Sequence, residues 1–73
     1  MIKTLKKVDS SMVSALGYDR KNRVLEVVFK KGTTWQYLDV PPSVYKELCN
    51  SDSIGGYMRD LIIDEYESRK LKG

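Results

Sequence analysis

The sequence predicts an α+β domain: a three-stranded antiparallel meander packed on one face by two short C-terminal helices. Three observations predict it. Val24-Leu25-Glu26-Val27-Val28-Phe29 alternates in the manner of a half-buried strand, with Leu25, Val27 and Phe29 on one face. The segments on either side, Met12–Tyr18 and Thr33–Leu38, are joined to it by short turn-forming stretches, so the three pair sequentially. After Val40-Pro41-Pro42 the apolar period changes from that of a strand to that of a helix.

Taken in order, residues 1–9 are expected to be an extended, frayed arm, since they carry three lysines and no pattern. Asp9-Ser10-Ser11 reads as a polar turn before the first strand, which Ala15 and Gly17 weaken. Asp19–Arg23 turns the chain into the second strand, and Lys30-Lys31-Gly32 turns it into the third, Gly32 accepting a positive φ at low cost. Pro41-Pro42 suits a helix start because the missing N–H has no partner in the first turn. Val44, Tyr45, Leu48 and Cys49 then form the apolar stripe of a helix ending near Cys49. A second helix is expected from Ser53 to about Glu67, with Ile54, Tyr57, Met58, Leu61, Ile62 and Tyr66 inward. Residues 10–67 are thus read as the domain, and residues 68–73 as a polar, mobile tail.

Composition narrows the function. With 73 residues, 41% hydrophobic and 32% charged, the chain has room for one globular domain. A chain this short buries only about 60–65% of its unfolded surface, so self-association into a homo-oligomer is expected. No apolar run is long enough for a transmembrane helix, and a single cysteine, Cys49, fits a reducing, cytoplasmic setting. The chain has no histidine, which removes imidazole base chemistry and, with one cysteine, the usual zinc sites. Ser10 and Ser11 have no base to activate them, and Asp60, Asp64 and Glu67 are read as a solvated helix face. No enzyme, cofactor or metal is expected. Charge is uneven: residues 1–31 carry eight basic and three acidic side chains, residues 32–73 five and seven. The basic half could attract phosphate, although Arg20, Lys21 and Arg23 are also what an ordinary solvated turn contains.

Two constellations remain as candidate ligand sites. Trp35 and Tyr37, two apart on a strand, share a face. If it points outward they form a stacking platform for bases, with Lys30 and Lys31 beside them for phosphate; if inward they are core under the helices, the reading favoured here. Ser53-x-Gly55-Gly56 at a helix start offers free amides and a hydroxyl to an anion, with Arg59 a turn beyond. The competing account is a simple Ser53 cap with glycines that permit close packing.

The order of these pieces resembles the KTSC domain, a short module found at the end of some lysyl-tRNA synthetases and as a stand-alone bacterial or phage protein. The resemblance runs from about Ser10 to Tyr66. It rests on Ser10-Ser11, Gly17-Tyr18-Asp19, Leu25–Phe29 with Gly32, an aromatic-x-aromatic centre, Val40-Pro41 with Val44-Tyr45, and Ser53-x-Gly55-x-Tyr57. It implies RNA binding. The family's central Tyr-x-Tyr is Trp35-Gln36-Tyr37 here, and its basic last helix keeps only Arg59 beside an added Asp60, which subtracts affinity for a phosphate polymer. The expected function is a non-catalytic binding module for RNA or a small phosphate-bearing nucleotide, sequestering it. The alternative is a phage-type accessory protein that binds and inhibits a host protein, or an oligomerisation module.

Overall fold

The computed structural model describes residues 5–8 and 10–72. Its centre is the strand with the strongest alternation, Val24–Phe29, flanked by Val13–Asp19 and Thr34–Tyr37. These are β3, β2 and β4 of a five-stranded antiparallel sheet in the order β1-β2-β3-β4-β5, with β1 at Lys6–Lys7 and β5 at Ser68–Lys72. Five strands replace the expected three. The two additions came from segments read as a frayed arm and a mobile tail, and the reason is physical. Edge strands contribute backbone hydrogen bonds and little core, so they carry no apolar alternation, and their lysines and arginine guard the open edges. Residues 1–4 of the arm and Asp9 of the first turn lie outside the described residues.

Register decides which side chains form the core. Val13 faces Phe29, Leu16 faces Val27 and Tyr18 faces Leu25, an irregularity between Val13 and Ala15 shifting the alternation by one. Across the next ladder Leu25 faces Tyr37 and Val27 faces Trp35. Directly opposed residues share a face, so Trp35 and Tyr37 point inward with the apolar set. On the outer face Gln36 Nε2 donates to Glu26 Oε1 at 3.0 Å, and Arg69 Nε of β5 donates to Gln36 Oε1 at 3.0 Å. This polar row ties three strands together and supplies partners for two buried polar side chains.

The inner face is covered by two helices. The first, α1 (Pro42–Cys49), starts at its proline as expected and buries Leu48, with Val44, Tyr45 and Cys49 half-buried against the core. Tyr45 stacks on Tyr18, ring centroids 4.8 Å apart, and the Tyr18 hydroxyl donates to the Val40 carbonyl. Helix α2 (Ile54–Tyr57) is capped by Ser53 and runs into a wider π-helical segment, Met58–Ile62, closed by the Ile63 amide on the Met58 carbonyl at 2.7 Å. The helical path ends there and not near Glu67. The wider turn advances fewer degrees per residue. Three residues beyond Met58, Leu61 has not come back to the core and is 50% exposed, whereas Ile62, four beyond, is fully buried. Leu61 is therefore not inward as its spacing predicts.

Four tyrosines resist ionisation in this fold, Tyr57 among them through burial and its hydrogen bond to Glu47. Burial raises Tyr18 and Tyr37 above the ordinary phenol range, with the nearby Asp64 carboxylate adding to Tyr37. Burial and the Cys49 thiol push Tyr45 up to about 12. Each therefore holds its proton more tightly folded than unfolded. The resulting stability is present in full below the unfolded phenol pKa of about 10 and is lost as the pH rises through the folded value. Thermal melts between about pH 8 and 12 are expected to stay level to about pH 10 and then fall. Tyr45→Phe should flatten that decline.

Candidate functional site

The turn between β3 and β4 sets one wall of a cavity on the inner face. Gly32, at φ +102°, closes the hairpin; its amide donates to the Phe29 carbonyl at 3.0 Å, and the Phe29 amide to the Thr33 carbonyl at 2.8 Å. The Lys30 amide donates to the Met12 carbonyl at 3.0 Å, fixing the turn against the start of β2. Lys30 and Lys31 are left exposed at the cavity rim. The opposite wall is the chain that leaves the π-helical segment. Asp64 turns it in the left-handed region at φ +73°, which Asp tolerates better than most residues, and the Leu38 amide then donates to the Glu67 carbonyl at 2.8 Å.

Between these walls lies a space of about 760 Å³. Phe29, Trp35, Tyr37 and Tyr66 line it with Met12 and Ile63; Lys30 and Lys31 border it on one side, Asp64 and Glu67 on the other. Tyr37 is almost fully buried and Trp35 half-buried. The pair thus points into the core face, as favoured from the sequence, and the cavity opens onto that same face. Stacking of a planar group on an aromatic ring is sequence-tolerant and contributes about 1–3 kcal/mol per base. Two lysines can meet a phosphate, while two carboxylates can accept hydrogen bonds from hydroxyl or amino groups.

The structure brings Trp35, Tyr37, Lys30 and Lys31 together, and places Ser53, Gly55, Gly56 and Arg59 in a separate hollow of about 270 Å³. Ser11 and Met12 border both spaces. In the smaller one the Gly56 amide is already taken by Ser53 Oγ at 3.2 Å. A Cβ on Gly55 would stand 3.2 Å from the Met12 Cβ, and one on Gly56 only 2.9 Å from Ser53 Oγ. Close packing accounts for both glycines, and Asp52 in the same hollow opposes an anion.

Tyr66, Asp64 and Glu67 belong to the larger cavity and were missed as site residues in the sequence. The sequence pattern places Tyr66 in the core and the two acids on a solvated helix face. Tyr66 does pack against the core and both acids are exposed, but they stand beyond the end of the helical path at Ile62, which brings all three to the cavity and which no local motif signals. A further space of about 530 Å³, lined by Lys6, Tyr18, Arg20, Tyr45 and Lys46 among others, lies at the other end of the inner face.

Comparison with known proteins agrees with the resemblance seen in the motifs. The KTSC domain family matches residues 9–66. A protein of Tsukamurella paurometabola is 33% identical over 64 residues, which make up 88% of this chain and 96% of that protein. Lysine–tRNA ligase of Nostoc punctiforme is 30% identical over 67 residues, 92% of this chain but only 12% of the ligase. The crystal structure of a KTSC domain protein from Yersinia pestis superimposes with a TM-score of 0.89 at 33% identity, covering 93% of this chain and 96% of that one. The motifs, the sheet with its two helical elements and these matches agree: the chain belongs to the KTSC domain family.

Proposed function

We propose that this protein is a non-catalytic binding module for a small phosphate-bearing nucleotide, held in the cavity between the β3–β4 turn and residues 63–68. One observation carries the reading: four aromatic side chains line a space of about 760 Å³ whose rim bears two lysines. That volume falls within the roughly 300–1,000 Å³ of small-molecule sites. A base stacks on Trp35 or Tyr37, the phosphate meets Lys30 and Lys31, and Asp64 and Glu67 accept hydrogen bonds from sugar hydroxyls or base amino groups. Ser53, Gly55, Gly56 and Arg59 stand outside this pocket and assist only a ligand long enough to pass Ser11 and Met12.

Polymer RNA is the second reading, favoured by the likeness to a stretch of a lysine–tRNA ligase. The two acids on the cavity rim oppose a run of phosphates, which is why the compact ligand is preferred. Trp35 is the sole tryptophan and reports directly on its own cavity. Titration with ribonucleoside 5′-monophosphates is expected to change its emission with a Kd between about 10 μM and 1 mM. Lys30→Ser with Lys31→Ser should weaken the nucleotide about tenfold and leave the parent nucleoside nearly unaffected. These lysines are exposed turn residues, so the double variant is expected to fold. No change in emission with any nucleotide at several millimolar would overturn the proposal. A salt-sensitive response to RNA alone would favour the polymer.

A further inference from the structure

The cleft between the end of β2 and helix α1 has a different electrostatic character from the aromatic cavity. Lys6 reaches it from β1, Arg20 from the β2–β3 turn, and Lys46 from α1. Among the described residues, no acidic side chain lines its roughly 530 Å³. The aromatic cavity, by contrast, balances two lysines against two acids. The acid next to Arg20 in sequence is committed elsewhere: Asp19 Oδ1 accepts from the Lys21 amide at 3.0 Å and the Asn22 amide at 3.2 Å, and Oδ2 accepts from Asn22 Nδ2 at 2.8 Å. Three cations drawn from three separate elements thus face one space with no countercharge among the described residues that line it.

The floor of that space is rigid. Tyr18 and Tyr45 stack at 4.8 Å with their planes 10° apart, and the Tyr18 hydroxyl is spent on the Val40 carbonyl. The pair joins β2 to α1, so Arg20 and Lys46 are carried by elements that do not move freely apart. Converging cations above a fixed aromatic floor raise the local concentration of anions, and a site whose cations are already positioned loses less entropy on binding.

We propose that this cleft is a second ligand site, specific for phosphate groups, in which Arg20, Lys46 and Lys6 supply the countercharge and Tyr18–Tyr45 the floor. It is independent of the nucleotide cavity, since no residue lines both spaces. The same chemistry serves a free oligophosphate or the backbone of a single-stranded RNA.

Amide chemical shifts of the full chain, followed during titration with inorganic pyrophosphate and separately with a short single-stranded RNA, test the site. Signals of Tyr18, Arg20 and Lys46 are expected to move with at least one probe, and Arg20→Ser with Lys46→Ser should weaken that response about tenfold or more. Both substituted residues are exposed, and an unchanged melting temperature shows that the fold survives. Trp35→Leu should leave the response intact, which separates this site from the nucleotide cavity. Saturation by pyrophosphate at low salt assigns the site to free oligophosphates. An RNA response whose salt slope falls by about two in the double variant assigns it to a backbone. If neither probe moves these signals at about 10 mM, or if the double variant responds like the parent chain, the proposal is overturned.

Discussion

Ile62→Ala is expected to lower the stability of the domain by about 2–4 kcal/mol, whereas Leu61→Ala, one position earlier, changes it by less than about 0.5 kcal/mol. Ile62 is fully buried in the core cluster formed by the sheet and both helical elements, so truncation removes contacts and leaves a cavity. Leu61 is half exposed and loses little. The contrast follows from the π-type turn. In a regular α-helix from Ser53 both leucine and isoleucine would face inward, and both substitutions would be costly. Urea melts of the two variants measure the difference directly. Similar large losses in both would mean that the turn is an ordinary helix.

Deleting residues 68–73 is expected to cost about 2–4 kcal/mol, or roughly 10–25 °C in melting temperature. The deletion removes β5, whose Ser68, Arg69 and Lys70 pair with Tyr37, Gln36 and Trp35. It also leaves Gln36 Oε1 without the Arg69 donor. The half-buried Trp35 and buried Tyr37 would then sit on a bare edge strand, open to pairing with a second copy. A truncated chain that melts like the full one would show that the segment is the mobile tail its composition suggests.

These two experiments mark where the fold was legible in the sequence. β3 and its neighbours were readable because burial on one face imposes a period of two, and the start of α1 because Pro42 has few alternatives. β1 and β5 were not readable. Lys6-Lys7 and Ser68–Lys72 are held by backbone hydrogen bonds, which no side-chain pattern records. The π-type turn was equally silent, since Met58–Ile62 is as compatible with an α-helix as with the wider form until Leu61 is seen in solvent.

The candidate site follows the same division. Trp35, Tyr37, Lys30 and Lys31 were found together because they are local, two residues apart on a strand and adjacent in its turn. Tyr66, Asp64 and Glu67 come from more than 25 residues downstream and reach the cavity only because the helical path stops at Ile62. The grouping of cations proposed as a second phosphate site was invisible for a similar reason. Lys6, Arg20 and Lys46 are far apart in the chain, and each alone is an ordinary surface cation.

In the proposed nucleotide site the base lies on Trp35 and the phosphate at Lys30 and Lys31. A titration of isotope-labelled protein with a nucleoside 5′-monophosphate reports on every amide at once. Binding there is expected to give saturable shifts confined to residues around Lys30, Trp35, Tyr37 and Tyr66, with the Trp35 indole N–H among the largest. Saturable shifts that leave these residues still, or no shifts at about 5 mM ligand, would contradict it.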